Sequence, residues 1–275
     1  MLMLATDLDR TLFPNGRQPY DGSMPRLQRL LERRPDILLV YVTGRNRQET
    51  RSGMAEFAAP PPAYAVCEVG TRIYRVENGE LQIDQGWADL IAARTAGWDI
   101  PEFARVLAGI SGLRRQEDDH QNPFKFSLYL DQPQRDDQRV GRIRQLVTKL
   151  TPDADVVYSV DETRGIGLVD LLPRAATKAA GLEYLREHYG LSRDDVVYAG
   201  DSGNDLLPLT SGCRAILVRN AVDEVRTEAL RIMDEQGGAD RLYCARGAGD
   251  LNGYYVSGLL EGLLHFDLVT AEETA

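Results

Sequence analysis

Short apolar segments that end in polar turns recur along the chain and alternate with segments of helical periodicity. Met1–Thr6 and Ile37–Val42 are two such segments, and Pro25–Arg33 lies between them with leucines at helical spacing. Nearly continuous apolar runs of this length predict strands buried on both faces, as in parallel sheets. Because strands and helices alternate, we expect an α/β fold with a doubly wound, Rossmann-like parallel sheet. The same pattern predicts a helix at Lys178–His188 and strands at Tyr64–Cys67, Val196–Ala199 and Ala215–Val218.

The middle of the chain lacks this rhythm. It contains one or two helices followed by a mixture of strands and one further helix, a succession that favours a separate α+β unit. We therefore expect a core domain formed by residues 1–85 and 171–275, with a cap domain at 86–170 inserted into it. The elements predicted in the insert are helices at Ala88–Gly109 and Asp137–Leu150 and strands at Phe124–Leu130, Val156–Ser159 and Gly167–Leu172.

Charge and composition exclude several classes of function. The chain carries 32 Lys and Arg against 42 Asp and Glu, a net charge of −10, which argues against binding nucleic acid or an anionic membrane surface. No apolar run approaches the about 20 residues of a membrane-spanning helix, and the N terminus lacks the basic and apolar regions of a signal peptide. Three widely spaced cysteines, Cys67, Cys213 and Cys244, favour free thiols and a cytoplasmic location.

Two carboxylates follow the first predicted strand. Asp7 and Asp9 are separated by Leu8, and carboxylates this close raise each other's pKa unless a cation lies between them. Hard divalent cations such as Mg²⁺ prefer oxygen ligands and would relieve the repulsion. An Asx turn after the strand is the structural alternative.

Two more polar turns follow predicted strands. Thr43-Gly44-Arg45 offers a hydroxyl and backbone N–H groups that can bind an oxyanion, although Thr43 could simply cap a helix. Gly200–Asp205 places two carboxylates and a carboxamide among small residues that let a ligand approach the backbone, although a tight turn without function is the alternative. All three turns lie at the carboxyl ends of predicted parallel strands, where open α/β sheets bind their ligands.

Taken together, these segments resemble a known superfamily. Asp-x-Asp-x-Thr at 7–11, Thr-Gly-Arg at 43–45, Lys178 and Gly-Asp-x-Gly-Asn-Asp at 200–205 resemble the four motifs of the haloacid dehalogenase-like phosphohydrolases, and the insert resembles their C2-type cap. Further segments resemble the sucrose-phosphate phosphatases across the cap and the C-terminal region. These are Gly86-Trp87-Ala88-Asp89, Gln121-Asn122-Pro123-Phe124-Lys125, Val169-Asp170-Leu171-Leu172-Pro173, Val218-Arg219-Asn220-Ala221 and Gly262-Leu263-Leu264-His265-Phe266.

The resemblance implies a Mg²⁺-dependent sugar phosphatase. In such an enzyme Asp7 attacks phosphorus and forms an aspartyl-phosphate, and Asp9 is the general acid and base. The residues expected to bind phosphate oxygens, or to orient those that do, are Thr43, Gly44, Lys178 and Asn204. The residues expected to hold the metal are Asp7, Asp9 through its carbonyl, Asp201, and Asp205 through water or indirectly.

Sugar recognition is predicted less directly. Gln121 and Lys125 flank a cap strand, and Arg45 and Gln48 lie beside the phosphate turn; these four are the expected substrate contacts, although Lys125 could alternate outward between two phenylalanines. Family members often carry Glu after a Val-Gly-Ser segment and a Lys-Asp pair before Val-Asp-Leu-Leu-Pro, where this chain has Arg72 and Gly167-Leu168. Both departures fall in regions expected to face the sugar.

Several functions therefore stay open. Sucrose 6-phosphate is the first candidate substrate, with mannosylfructose phosphate and glucosylglycerol phosphate as alternatives, and a synthase that supplies the substrate is a possible partner. A phosphosugar mutase would use the same core motifs but retain the phosphoryl group. A non-catalytic module that binds a synthase would not need Asp7, Asp9, Thr43, Lys178 and Asp201 together.

Overall fold

A computed structural model describes residues 1–95, 97–133, 138–161 and 164–274. The chain divides into two compact units, Met1–Asp84 with Lys178–Ala275 and Gln85–Thr177. The strands of the described residues are β1 (Leu2–Thr6), β2 (Ile37–Val42), β3 (Tyr64–Cys67), β4 (Arg72–Glu77), β5 (Glu80–Ile83), β6 (Leu113–Arg115), β7 (Phe126–Leu130), β8 (Ala154–Asp161), β9 (Ile166–Pro173), β10 (Val196–Gly200), β11 (Arg214–Leu217) and β12 (Leu242–Cys244). The α-helices are α1 (Met24–Arg33), α2 (Arg47–Glu56), α3 (Gln85–Arg94), α4 (Ile100–Leu107), α5 (Gln138–Leu150), α6 (Lys178–His188), α7 (Leu206–Leu209), α8 (Asp223–Glu235) and α9 (Val256–His265).

The first unit is built on one sheet with the strand order β12-β11-β10-β1-β2-β3-β4-β5. The strands from β12 to β3 pair in parallel, and β4 and β5 add an antiparallel edge. The five residues of β1 are all buried, as are the five of β10. Apolar side chains on both faces explain why these segments are continuous hydrophobic runs rather than alternating ones.

Helices α1 and α9 pack on one face of this sheet through a buried hydrophobic cluster. Leu4 of β1, Leu27 of α1 and Leu259 of α9 belong to the same buried cluster, and each is 0% exposed. Burying a leucine side chain contributes about 1.5–3 kcal/mol, so a cluster of this kind holds the strand ends in fixed positions. The α/β parallel-sheet fold predicted from the sequence is confirmed.

The second unit is an α+β structure with its own core. Its strands form an antiparallel sheet in the order β6-β7-β9-β8. Phe103, Leu128 and Ile143 come from α4, β7 and α5 and lie in one buried cluster. The expected boundary at 170/171 falls inside β9, which pairs through Leu171 with β7 and through Pro173 with β8. The second unit therefore ends at Thr177 rather than at residue 170, because the whole strand belongs to its sheet.

Membrane-spanning helices, the cysteines and the helices of the insert were also considered in the sequence analysis. Among the described residues, no helix is long and apolar enough to cross a membrane. Cys67, Cys213 and Cys244 are free thiols. The region predicted as one or two helices, Ala88–Gly109, holds α4 and most of α3, which begins earlier, at Gln85. The predicted start of the helix at Asp137 lies outside the described residues, and α5 begins at Gln138.

Candidate active site

Acidic side chains from two loops meet at the carboxyl edge of the parallel sheet. Asp7 follows β1, and Asp201 and Asp205 follow β10, the strand that pairs with β1. One carboxylate oxygen from each of Asp7, Asp201 and Asp205 lies within 4.8 Å of the others, and all three residues are buried. The acidic side chains that follow these two predicted strands thus lie together at one edge of the sheet.

The ammonium group of Lys178 joins these loops. Its Nζ donates to Asp7 Oδ1 at 2.7 Å, to Asp205 Oδ1 at 2.8 Å and to Asn204 Oδ1 at 3.0 Å, which uses all three of its hydrogens. Lys178 is only 2% exposed. Burial alone would lower the pKa of Lys178, but the charges of Asp205 and Asp7 outweigh it and raise the pKa above its ordinary value. The side chain is therefore a fixed positive charge beside Asp7.

Asp205 organises the loop rather than facing a ligand. Its Oδ1 accepts hydrogen bonds from Lys178 and from the hydroxyl of Tyr198 at 2.6 Å. Its Oδ2 accepts from the N–H groups of Asp201 and Ser202 at 3.1 and 3.0 Å and from the Ser202 hydroxyl at 3.0 Å. These five donors occupy the lone pairs of the Asp205 carboxylate. This supports the expectation that Asp205 contacts a bound cation through water or another residue and not directly.

Asp201 has the opposite environment. Its Oδ2 is buried and accepts no hydrogen bond from the described residues, and Arg10 Nε lies 3.3 Å away. Burial raises the pKa of Asp201 to about 7, and the charge of Asp205 adds to the effect while Arg10 opposes it. A buried carboxylate oxygen that accepts no hydrogen bond from the described residues, next to Asp7 and with Arg10 as a cationic neighbour, is suited to a hard divalent cation.

The Thr43-Gly44-Arg45 turn is not a helix cap. Asn46 caps α2 instead, through a capping box in which Asn46 Oδ1 accepts from the Glu49 N–H and the Glu49 carboxylate accepts from the Asn46 N–H, both at 2.9 Å. Thr43 Oγ1 accepts from the Arg45 N–H at 3.1 Å, so the hydroxyl hydrogen is left to donate elsewhere. The structural alternative considered for Thr43 is therefore wrong, because the helix starts later than the turn.

A strained loop after β3, at Glu68 and Val69, hydrogen-bonds to the backbone of the Thr43-Gly44-Arg45 turn. Glu68 and Val69 both have positive φ angles, 54° and 64°, a region that β-branched residues such as valine rarely adopt. In this conformation the Glu68 N–H donates to the Arg45 carbonyl at 3.0 Å and the Val69 N–H to the Thr43 carbonyl at 3.1 Å. This loop conformation could not be predicted from the sequence, because neither glutamate nor valine favours a positive φ.

Asp9 lies in a different electrostatic setting from Asp7. Arg45 donates to it twice, from Nε to Oδ2 at 2.8 Å and from Nη2 to Oδ1 at 2.7 Å, and Asn15 Nδ2 donates to Oδ1 at 2.6 Å. Burial would raise the pKa of Asp9, but the hydrogen bonds and charge of Arg45 outweigh it and hold the pKa below its ordinary value. Burial instead raises the pKa of Asp7, with Lys178 opposing it.

The predicted sugar contacts have mixed surroundings. Arg45 is engaged with Asp9, and Gln48 is exposed in the first turn of α2. In the second unit, Gln121 donates to the carbonyls of Gln116 and Ser127 and accepts from the Ser127 N–H, which ties its amide to the local backbone. Lys125 is 7% exposed and its Nζ lies 3.5 Å from Asp170 Oδ1, so the outward-facing alternative for this lysine is wrong.

Other residues of the site escaped prediction. Tyr198 lies inside an apolar strand and reads as a core residue, and Arg10 and Asn15 lie in a loop without periodicity. Thr11 is part of the first motif, and its hydroxyl reaches Asp201 Oδ1 only at 3.4 Å. The acidic residues could be found from their positions after strands, whereas the partners of those residues depend on how the loops fold back.

The fold and the site define a haloacid dehalogenase-like phosphohydrolase, with an α/β core, an inserted α+β unit and the Asp7–Lys178–Asp201 constellation. A comparison with known families gives the finer grouping. The chain belongs to the sucrose-6F-phosphate phosphohydrolase family, whose sequence model matches residues 1–267.

Individual relatives agree with this placement. A protein of Nitrosococcus oceani described as a HAD-like hydrolase is 41% identical over 268 residues, which cover 96% of this chain and 71% of that protein. The mannosylfructose-phosphate phosphatase of Agrobacterium fabrum is 29% identical over 81% of this chain and 85% of its own length. The crystal structure of the sucrose-phosphatase of Synechocystis, in complex with sucrose and phosphate, superimposes with a TM-score of 0.70 at 29% identity and covers 97% of this chain and 98% of that one.

Proposed function

We propose that this protein is a Mg²⁺-dependent phosphatase that hydrolyses the phosphate monoester of a disaccharide or a similar glycoside. The observation that carries the proposal is the buried Asp7 carboxylate, held by Lys178 at 2.7 Å beside Asp201, whose Oδ2 accepts no hydrogen bond from the described residues and lies 3.3 Å from Arg10 Nε. This arrangement combines a nucleophile with a fixed cation and a metal ligand. The names of two similar proteins, a sucrose-phosphatase and a mannosylfructose-phosphate phosphatase, support a phosphorylated disaccharide as the substrate class.

The residues of the site suit two successive displacements at phosphorus. An oxygen of Asp7 attacks phosphorus as the bond from phosphorus to the sugar oxygen breaks. Asp9 gives its proton to the departing sugar oxygen from its protonated form, which its lowered pKa makes the minor form near neutral pH. Water then attacks phosphorus and gives its proton to Asp9 as the bond from phosphorus to Asp7 breaks. The net products are the free sugar and inorganic phosphate, and Asp7 and Asp9 return to their starting states.

The remaining groups bind and orient the phosphate. Lys178 donates to Asp7 and would offer its charge to phosphate oxygens, to which the Thr43 hydroxyl and the Gly44 N–H would donate. Asp7, Asp201 and the Asp9 carbonyl would hold Mg²⁺, which neutralises charge on the phosphate and the carboxylates when it is bound. Bound Mg²⁺ would also favour the ionised form of Asp7, because burial alone raises the pKa of this carboxyl.

The second unit is proposed to supply the contacts that distinguish sugars. Lys125 stays a predicted contact because it is buried against Asp170, a residue of the Val-Asp-Leu-Leu-Pro segment. Gln48 stays a predicted contact of the first unit. Association with a synthase stays a prediction as well.

Phosphate release from a panel of esters tests the proposal. The panel is sucrose 6-phosphate, mannosylfructose phosphate, glucosylglycerol phosphate, glucose 6-phosphate and fructose 6-phosphate, each with Mg²⁺ and with EDTA. We expect kcat/KM to be highest on one of the glycoside phosphates, to be lost with EDTA and to return with Mg²⁺. Equal rates on every ester would contradict specificity for a disaccharide phosphate. Isomerisation without phosphate release would identify a mutase.

Asp7→Asn is the matched variant for the chemistry. It removes the nucleophile while keeping the size of the side chain, so we expect turnover to fall by about 10³-fold or more. The urea unfolding curve of the variant serves as the control for folding. Turnover within about tenfold of the unsubstituted protein would show that Asp7 is not the nucleophile.

A further inference from the structure

The side chain of Arg45 is held in one orientation by contacts with Phe13 and with the backbone of α2. Its guanidinium carbon lies 5.1 Å from the centre of the Phe13 ring, and its Nη1 donates to the Glu49 carbonyl at 3.1 Å. A Cβ at Gly53 would lie 2.5 Å from Phe13 Cε2 and 2.7 Å from Arg45 Nη1, so any side chain there would displace the arginine or the ring. Stacking, a backbone acceptor and a space kept open by glycine together fix the guanidinium plane.

The fixed guanidinium determines the orientation of Asp9. Arg45 reaches both carboxylate oxygens, Nε to Oδ2 and Nη2 to Oδ1, in the bidentate geometry that sets a carboxylate plane. Asn15 adds a second donor to Oδ1 at 2.6 Å. Among the described residues, Oδ1 therefore has two donors and Oδ2 one, which leaves Oδ2 as the oxygen able to exchange a proton.

We propose that Arg45, assisted by Asn15, is the positioning residue of the acid-base carboxylate Asp9 and not a ligand of the sugar. The inference rests on the proposed function, because it assigns Arg45 to the proton-transfer steps of that reaction. Arg45 acts through Asp9: it fixes the carboxylate plane and presents Oδ2 to the water that attacks the aspartyl-phosphate. This assignment replaces the substrate contact expected for Arg45 from the sequence.

A double-mutant cycle separates positioning from substrate binding. We expect Asp9→Asn to lower kcat by about 10²–10⁴-fold and Arg45→Ala by about 10–10²-fold, with KM of the preferred sugar phosphate changed by less than about threefold. If Arg45 acts through Asp9, adding Arg45→Ala to Asp9→Asn lowers kcat no further. If the double variant loses the full product of the two single effects, or if Arg45→Ala raises KM alone, Arg45 contacts the substrate and the proposal is overturned.

The two half-reactions give an independent readout. 4-Nitrophenolate is a good leaving group and departs without an acid, whereas hydrolysis of the aspartyl-phosphate still needs Asp9 as a base. With 4-nitrophenyl phosphate, Arg45→Ala should therefore release about one equivalent of nitrophenol per active site in a burst before a slow steady state. A steady state as fast as that of the unsubstituted enzyme would overturn the proposal.

Two further variants complete the test. Arg45→Lys keeps the charge but loses the bidentate contact, so its kcat should lie between those of Arg45→Ala and the unsubstituted enzyme; a kcat equal to that of Arg45→Ala or lower would overturn the proposal. Arg51→Ala is the control, because Arg51 lies in α2, the helix that follows Arg45, and pairs with Glu80 at 2.9 Å; it should keep the unsubstituted kcat, and a loss matching that of Arg45→Ala would overturn the assignment. If the unsubstituted protein hydrolyses no phosphate ester, the proposed function fails. If it hydrolyses esters and Arg45→Ala is unaffected, the positioning role alone fails.

Discussion

At the scale of single residues, the site depends on one buried ammonium group. Lys178 is 2% exposed and bonds to two buried carboxylates, Asp7 and Asp205. The Coulomb attraction offsets the desolvation of these charges only while all members are present. Deleting the lysine leaves Asp7 and Asp205 buried without the ammonium group that pairs with both, so we expect the site to contribute to folding.

Lys178→Met tests this coupling. We expect the free energy of unfolding, measured with urea by circular dichroism, to fall by about 3–5 kcal/mol, because the buried carboxylates lose their counterion. Turnover should be lost as well. Lys149→Met, at an exposed position in α5, is the matched control and should change stability by less than about 0.5 kcal/mol. Equal stability of the two variants would show that the carboxylates do not need the ammonium group for folding.

Residue-scale prediction from sequence succeeded where chemistry follows directly from position. Asp7 and Asp201 could be placed together because each comes one residue after a buried strand. Tyr198 could not be assigned, because a tyrosine in a run of apolar residues gives no sign that its hydroxyl meets Asp205. Arg10, in the loop after β1, has a φ of 60°, a conformation that no sequence pattern predicts for an arginine. In this conformation its Nε lies 3.3 Å from Asp201 Oδ2.

At the scale of elements, the start of α2 determines which hydrogen-bonding groups of the Thr43-Gly44-Arg45 turn are not used in capping the helix. Because Asn46 caps the helix, the Thr43 hydroxyl hydrogen is not used for capping and the Gly44 N–H lies before the first helical turn. The cap and the strained Glu68-Val69 backbone hold the turn from its two sides. The turn is thus positioned by elements on either side of it as well as by the hydrogen bond from the Arg45 N–H to Thr43 Oγ1.

Asn46→Ala measures the contribution of the cap. Losing the side-chain acceptor for the Glu49 N–H should lower the free energy of unfolding by about 1 kcal/mol. Urea unfolding followed by circular dichroism checks this value. Gln48→Ala, at an exposed position in the same helical turn, should alter stability by less than about 0.5 kcal/mol. If the two variants are equally stable, Asn46 does not act as the cap.

Elements buried on both faces were predictable almost to the residue. Ile37–Val42 and Tyr64–Cys67 occur as predicted, because continuous apolar runs leave little choice of boundary. The hairpin of β4 and β5 was not predicted, since polar residues such as Arg72 and Glu80 hide the alternation of an edge hairpin. The Asn78-Gly79 pair at its turn, with φ angles of 51° and 78°, is a hairpin signature that could have revealed it.

At the scale of the molecule, the two units have separate cores but share two crossings of the chain. Asp84 is the last residue of the first unit before the insert, and Lys178 is the first after it. Tyr184 of α6 donates to Asp84 at 2.8 Å, so the helix that follows the second crossing fixes the residue that precedes the first. The chain therefore leaves and re-enters the first unit at a defined place, and Lys178 is the first residue after the re-entry.

The stability of the first unit should depend on pH through buried acids that stay protonated. Cys67 and Tyr41 are each 0% exposed. Burial raises the pKa of Cys67 to about 12 and raises the pKa of Tyr41 well above its ordinary value. In the unfolded chain these groups ionise near pH 8.5 and 10, respectively. Above those values the unfolded state has lost protons that the folded state retains, so stability falls as pH rises.

Urea unfolding at pH 8, 9.5 and 10.5 tests this dependence, with each variant compared with its own value at pH 8. Within its window each group should lower the free energy of unfolding by about 1.4 kcal/mol per pH unit. Cys67→Ala should remove the part of the decline that begins near pH 8.5, and Tyr41→Phe only the part that begins near pH 10. The two variants control each other, because both delete a buried acid from the same sheet but in different pH windows. A decline identical in both variants and the unsubstituted protein would show that other groups cause it.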